Sequence, residues 1–285
     1  MKDFIKNRIK SDDGFLGETH AMSAVAGFLL LVLFAKDYFL NQGITDNVFI
    51  LLIASFIVAG AALIPDLDNT KSTAMSVLGP VGNLLSTAMR SIATVIFYMT
   101  RSRYDDKVAN PHRGFWHTII AGAVLGLIVK YTTSINVEIN NDFLINYNFN
   151  NVGDLLALFW IFITTQLAFS ALLNKFNKGG LINKLILVLL GLGISVALIY
   201  FNSDDYNWLV ILMVLGYLIH IVGDSLTVAG IPLLFPFKIK GKRWYTISFL
   251  PIRAGGEIEN HLFLPLFTVV SIVSAILIVV NSFGY

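Results

Sequence analysis

The 285-residue sequence has no cysteine and little charge, with only 13% of its residues Asp, Glu, Lys or Arg. Without cysteine the chain can form neither a disulfide bond nor a thiolate metal site. The charged fraction is about half of the ~25% typical of soluble domains, which indicates that much of the surface does not face water. The formal net charge is only +2, so the composition does not favour nucleic acid as a partner.

Hydrophobic residues make up 56% of the chain, and the mean hydropathy is +0.73. They gather in runs of about 17 or more residues, each long enough as a helix to cross a hydrocarbon core of ~30 Å. The runs do not alternate as barrel strands would, and a helix satisfies its own backbone hydrogen bonds in lipid. The apolar runs lie at residues 20–40, 48–64, 77–99, 115–134, 154–173, 183–201, 208–228 and 262–281. We therefore predict an all-α, polytopic transmembrane helical bundle that forms a single membrane-embedded domain over residues 1–285.

The third run, at residues 77–99, is the weakest candidate for a span. It contains Pro80 and Arg90, and a charged residue near the centre of a membrane helix is costly. We predict that this segment is a re-entrant or interfacial helix, which leaves about seven spans.

The distribution of lysine and arginine predicts the orientation of the bundle. Basic residues gather at the N-terminus and in the segments 101–113, 175–184 and 238–253, whereas the segment 135–153 has none. Positively charged loops stay on the cytoplasmic side of a membrane. All four basic clusters share that side only if the run at 77–99 does not cross. The sequence thus predicts a multi-pass protein of the cell (inner, cytoplasmic) membrane, with its N-terminus inside and its C-terminus outside.

This topology collects seven histidine and aspartate side chains at the cytoplasmic ends of the spans. Their positions are His20, Asp66, Asp68, His112, His117, His220 and Asp224. Imidazole and carboxylate ligands without thiolate are typical of zinc, manganese or iron sites. His220 and Asp224 are four residues apart, so on a helix they project from one face. We predict that these seven residues bind a divalent metal, with zinc as the first candidate and manganese or iron as alternatives.

Single ionisable residues of the sequence also have simpler structural explanations when each is taken alone. His220 taken alone fits a hydrogen-bonded interior histidine, Arg113 a positively charged anchor, and His261 a residue at the membrane boundary. Chance would scatter such residues over both faces of the membrane. Their predicted location on one face favours a functional site.

Five motifs resemble the YdjM-type family of membrane-bound metal-dependent hydrolases, whose prototype is LexA-regulated. They run in order from about residue 19 to residue 257 and are TH (19–20), PDLD (65–68), HRGFWHT (112–118), GYLIHIVGDSLT (216–227) and GIPLLFPF (230–237). The combination of HRxxxH, HxxxD and PDxD is the specific part of the resemblance, and it implies that the seven polar residues bind metal. The pattern is also distantly similar to zinc-dependent phospholipase C. Phe115 and Trp116 are bulkier than this motif leads us to expect, so they either narrow the site or anchor the helix at the interface.

The residues and the resemblance together imply a metal-dependent hydrolase that acts on a phosphoester or lipid-linked substrate at the cytoplasmic membrane face. Arg113 is expected to bind the substrate anion, because a guanidinium group matches phosphate with two parallel donors. Glu257 is the second catalytic candidate, although from the residues alone it fits a solvated side chain in a glycine-rich loop. Two other functions remain open: an ion or proton transporter with an intramembrane His/Asp site, and a nonenzymatic scaffold held together by metal. The sequence does not indicate an oligomeric state.

Overall fold

The computed structural model confirms the all-α prediction. The residues that it describes are 15–44, 47–69, 72–110, 112–173, 176, 180–201, 205–250 and 252–283. The basic N-terminus, Lys175 and Lys178, which entered the topology prediction, lie outside the described residues. The named α-helices in these ranges are α1 (Gly17–Phe34), α2 (Lys36–Asn41), α3 (Val48–Ala61), α4 (Thr73–Thr100), α5 (Ile119–Thr133), α6 (Asp142–Ile145), α7 (Val152–Leu172), α8 (Leu181–Phe201), α9 (Asn207–Ser225) and α10 (Leu264–Phe283). The same ranges contain isolated backbone bridges but no extended strand.

The apolar helices are consistent with the predicted number of spans. Within the described ranges, six helices are long and apolar enough to cross a membrane. They are Gly17–Phe34, Val48–Asp68, Val152–Leu172, Leu181–Tyr200, Asn207–Ser225 and Glu259–Asn281. Helix α5 is apolar but has only 15 residues, and it directly follows the 3₁₀ turn Phe115–His117. With α5 the bundle has about seven spans.

Helix α3 packs against α1, α7 and α9 in the interior of the bundle. A Cβ atom on Gly60 of α3 would lie 1.8 Å from the carbonyl oxygen of Thr164 in α7. A Cβ atom on Gly216 of α9 would lie 2.3 Å from the carbonyl oxygen of Val58 in α3. Small residues are typical of membrane-helix crossings, because helices in lipid associate through close packing. These two crossings fix the end of α3, from which the PDLD turn emerges.

Helix α4 is continuous over 28 residues and is not one of the six apolar spans. Its buried side chains recur every three or four residues from Gly82 to Phe97, so they form one stripe against the rest of the protein. The exposed residues occupy two separate sides of this helix. One side carries the polar residues Asn83, Thr87, Arg90 and Ser91, and the other carries the apolar residues Leu84, Ile92, Val95 and Met99. A helix with separate polar and apolar exposed sides is typical of the membrane interface. The pattern therefore favours the interfacial alternative over the re-entrant one.

The described residues that follow α9, 226–250 and 252–256, are irregular, and they form hydrogen bonds with the segment after α4. The Asp105 carboxylate accepts the backbone N–H groups of Ser102, Arg243 and Trp244. Burial alone would raise the pKa of Asp105, but these N–H donors outweigh it and hold the pKa below its ordinary value. Two of the segments that carry basic clusters therefore lie side by side, as the topology prediction requires.

The orientation of the bundle can be tested with single cysteines, since the chain has none of its own. Lys107 and Asn140 are both exposed and lie in loops predicted to face opposite sides. A membrane-impermeant maleimide should label Asn140→Cys in intact cells and Lys107→Cys only after the membrane is permeabilised. Labelling of Lys107→Cys in intact cells would mean that α4 crosses the membrane.

Candidate metal centre

The seven predicted ligands converge on one place from four parts of the bundle. His20 lies at the start of α1, and Asp66 and Asp68 lie in the turn after α3. His112 and His117 lie in the segment before α5, and His220 and Asp224 lie in the last two turns of α9. Contacts of 2.7 to 3.9 Å between imidazole nitrogens and carboxylate oxygens connect all seven into a single cluster. The structure therefore brings together every residue of the predicted ligand set.

Four of these side chains face a common centre. Asp224 Oδ2 lies 3.4 Å from His117 Nε2 and 3.5 Å from His220 Nε2. Asp66 Oδ1 lies 3.5 Å from His117 Nε2 and 3.9 Å from His220 Nε2. In a tetrahedral site with metal–ligand bonds of ~2.0–2.1 Å, neighbouring ligand atoms are about 3.3–3.4 Å apart. These separations are close to those between neighbouring ligands of one ion. Within the described residues, three groups could hold a metal ion: Asp66 with His117 and His220, His20 with His220 and Asp224, and Asp68 with His112 and His117.

The polar atoms of this group are buried without hydrogen-bond partners. Within the described structure, both ring nitrogens of His117, both ring nitrogens of His220 and both carboxylate oxygens of Asp224 lack one. An unsatisfied buried polar group costs about 1–3 kcal/mol, and such groups are rare in folded proteins. A bound cation would remove this cost for the atoms that face it. His220 is thus not the hydrogen-bonded interior histidine that it would resemble if considered alone.

Asp68 and His112 form a pair beside the four residues. His112 Nδ1 is 2.7 Å from Asp68 Oδ1, which is the distance of a direct hydrogen bond. The other oxygen, Asp68 Oδ2, lies 3.8 Å from His117 Nδ1. Burial alone would lower the pKa of His112, but the hydrogen bond and the charge of Asp68 outweigh it and the pKa is raised. A carboxylate on the far nitrogen of a ligating histidine is typical of the outer shell that orients a metal ligand.

The remaining oxygen of Asp224 faces His20 and Arg113. Asp224 Oδ1 lies 3.2 Å from His20 Nε2 and 3.5 Å from Arg113 Nη2. The His20 ring also stacks on His220, with ring centroids 3.9 Å apart. His20 therefore stays a candidate ligand together with His220 and Asp224, and Arg113 lies beside the same carboxylate.

Arg113 is buried, with 5% of its surface exposed, and is therefore not an anchor on the membrane boundary. Its Nη1 donates to Thr227 Oγ1 and to the carbonyl oxygen of Gly230, which ties the segment after α9 to the cluster. Its Nε and Nη2 are buried without a hydrogen-bond partner in the described structure. Its backbone φ is 63°, a left-handed conformation that costs a non-glycine residue about 1 kcal/mol or more. Arg113 is therefore a buried cation in a strained backbone conformation, held between the segment after α9 and Asp224.

The bulky side chains of the HRGFWHT motif brace the helices around the cluster. Trp116 Nε1 donates to the carbonyl oxygen of Met89 in α4, and the Trp116 carbonyl accepts from the hydroxyl of Tyr217 in α9. Phe115 is buried in the hydrophobic core. The two aromatic residues therefore hold the motif against α4 and α9, and Trp116 makes this contact with the helix that has the interfacial pattern. Sequence reasoning missed Tyr217, because nothing in its motif distinguishes it from an ordinary core residue.

The structure does not place Glu257 in the cluster. Its side chain is exposed, and within the described ranges it belongs to none of the groups that could hold a metal ion. Glu259 is buried instead and accepts the backbone N–H groups of Leu16 and Gly255, each at 2.6 Å. Both glutamates lie in a helical stretch two residues apart, so they point in nearly opposite directions. The sequence alone did not show which one is buried. Glu259 therefore fixes the chain just before α1, from which His20 emerges.

The depth of the ionisable residues argues against a transport pathway. Along the described spans, Asp, Glu, His, Lys and Arg occur only near the helix ends, and the central turns have none. A transporter with an intramembrane His/Asp site would place these ionisable groups near the bilayer midplane. The cluster lies at one end of the bundle, where Asp66 and His112 have 16% and 20% of their side chains exposed. The cluster is therefore partly open at one end of the bundle.

The family comparison agrees with the motifs and the fold. The family model for the YdjM inner membrane protein matches residues 16–181 and 185–284, which is nearly the whole chain. No curated protein and no solved structure matches it. The matched region includes every residue of the cluster and all of the seven apolar helices except residues 182–184. The chain belongs to the YdjM inner membrane protein family, and it is a multi-pass inner-membrane protein.

Proposed function

We propose that this protein is a metal-dependent hydrolase that acts on a phosphoester or lipid-linked substrate at the cytoplasmic face of the membrane. The observation that carries the proposal is the set of buried imidazole nitrogens and carboxylate oxygens that face one centre and have no hydrogen-bond partner in the described structure. Nitrogen and oxygen donors without thiolate suit zinc first and manganese or iron as alternatives. His117, His220, Asp66 and Asp224 would hold the ion.

A divalent ion in this position would polarise a substrate oxygen and lower the pKa of water. Asp66 and His112 are the members of the cluster that are open to the surroundings, so the substrate would approach from their side. The hydrogen bond between His112 Nδ1 and Asp68 Oδ1 orients the imidazole ring. This leaves Nε2 of His112 for proton exchange with the substrate. An accessible side of this kind supports catalysis over a closed structural site.

Arg113 would stabilise the negative charge of the substrate. Its Nη1 is fixed by Thr227 and Gly230, while Nε and Nη2 retain unused donors beside Asp224. A donor group fixed before the substrate arrives does not have to reorganise during the reaction. Arg113 would therefore bind an anionic group of the substrate beside the cluster.

Metal binding can be tested with the double change His220→Ala and Asp224→Ala. We expect this variant to lose bound zinc by at least about tenfold, because it removes two of the four central ligands. The measurement is elemental analysis of purified, folded protein. The matched control is His261→Ala with Asp37→Ala, an exposed histidine and an exposed aspartate outside the cluster. Equal metal content in the double variant and the control would remove this pair from the site.

The hydrolase proposal is tested with metal-loaded protein on phosphomonoesters, phosphodiesters and short-chain phospholipids. We expect metal-dependent cleavage of at least one of these classes. Arg113→Lys should keep its metal but react about tenfold more slowly or worse, ~1.4 kcal/mol, because an ammonium group cannot replace both sets of guanidinium donors.

The control for this substitution is Arg243→Lys, since Arg243 donates to Thr100 outside the cluster. Full activity in Arg113→Lys would exclude the proposed role of this arginine. Metal-loaded protein that cleaves none of the three classes would contradict the hydrolase proposal itself.

A further inference from the structure

A cavity of about 140 Å³ lies between the end of α4, the segment before α5 and the irregular segment after α9. Among its lining residues are Arg113, Asp106, Lys242, Trp244 and Ala229. Pockets that enclose drug-sized ligands are roughly 300 Å³ or larger, so this one suits a small chemical group. No residue of the metal cluster lines it, which makes it a separate feature of the molecule.

Arg113 connects this cavity to the candidate metal centre. It forms part of the cavity wall, and its Nη2 lies 3.5 Å from Asp224 Oδ1. Arg113 is 5% exposed, so its positive charge is held at the cavity wall away from bulk water. A buried cation at the wall of a cavity favours an anionic occupant.

The second cation of the cavity is Lys242, whose ammonium group lies 3.2 Å from Asp106 Oδ1. The two side chains are 40% and 82% exposed. An exposed ion pair of this kind contributes little net stability, so an anion that enters the cavity can replace the Asp106 carboxylate at Lys242. Trp244, which packs against Phe235 with ring centroids 4.2 Å apart, supplies a rigid wall beside it.

We propose that this cavity is a second anion subsite, which binds a phosphate group between Arg113 and Lys242. The proposal rests on the proposed function in one respect, because it treats this phosphate as part of the substrate. The substrate would then extend from the metal centre past Arg113 into the cavity. The segment after α9 also exposes Phe237 and Phe249, at 72% and 62%, and exposed aromatic side chains are typical of membrane boundaries. The phosphate of a lipid headgroup is therefore the expected source.

Binding is measured by calorimetry on full-length protein in detergent, both as purified and after a chelator wash, so that anion binding by metal is not counted. The probes are inorganic phosphate and dihexanoyl phosphatidic acid. Lys242→Gln should weaken binding about tenfold, as expected for loss of a charged hydrogen-bond partner. Asp106→Asn should strengthen binding, because it frees Lys242. Ala229→Leu should weaken binding by filling the cavity without changing its charge.

The two charge substitutions separate an anion site from an ordinary surface ion pair. Both remove the same ion pair, so a purely structural pair predicts effects in the same direction, whereas the anion site predicts opposite ones. Lys238→Gln is the control, since Lys238 is an exposed lysine of the same segment that does not line the cavity. Tighter binding of the lipid than of phosphate supports a lipid headgroup, and equal binding supports a phosphate group from either source.

Three results would overturn the proposal: no binding of either probe, effects of Lys242→Gln and Asp106→Asn in the same direction, or an equal loss in Lys238→Gln. Because the measurement requires neither metal nor turnover, failure of the hydrolase proposal would leave it unaffected.

Discussion

The cost of burying carboxylates and imidazoles inside a membrane bundle constrains the rest of this structure. Asp224, His117 and His220 are almost fully buried, yet the polar atoms that they direct toward one another have no hydrogen-bond partners in the described part of the chain. Buried charges normally persist only when they are paired or coordinate a metal. We infer that a cation at their centre is what makes this arrangement stable, and that the surrounding helices are placed to hold its ligands.

The bundle supplies that placement through rigid contacts close to the cluster. The glycine crossings of α3 set the position from which Asp66 and Asp68 emerge. Ser86 of α4 donates to the carbonyl oxygen of Asp68, so the interfacial helix holds the same turn from its other side. Arg113 links the segment after α9 to Asp224. The site is therefore assembled from elements that are far apart in sequence and rigidly packed in space, as a preorganised centre requires.

Much of this could be predicted from the sequence because lipid restricts the choices of the chain. Apolar runs identified the spans, and the bias of basic residues predicts that the run at 77–99 does not cross the membrane, which places the polar residues on one side. Which atoms of the cluster face one another could not be predicted, because the sequence does not show how the side chains are oriented. Asp68 differs from Asp66 only in that its oxygens face His112 and the far nitrogen of His117. The sequence favours Glu257 over Glu259 as a catalytic candidate because it does not show which of the two is buried. The helical turn decides this, and it buries Glu259.

The central claim is that two imidazoles and two carboxylates hold the ion while His112 remains outside its coordination sphere. X-ray absorption spectroscopy at the zinc edge measures this directly, because imidazole rings give a distinct outer-shell scattering pattern. Zinc-loaded protein should show nitrogen and oxygen ligands at ~2.0–2.1 Å with scattering from two imidazoles. That spectrum should be unchanged in His112→Ala and should lose one imidazole in His117→Ala. An imidazole lost in His112→Ala, or none lost in His117→Ala, would contradict the assignment.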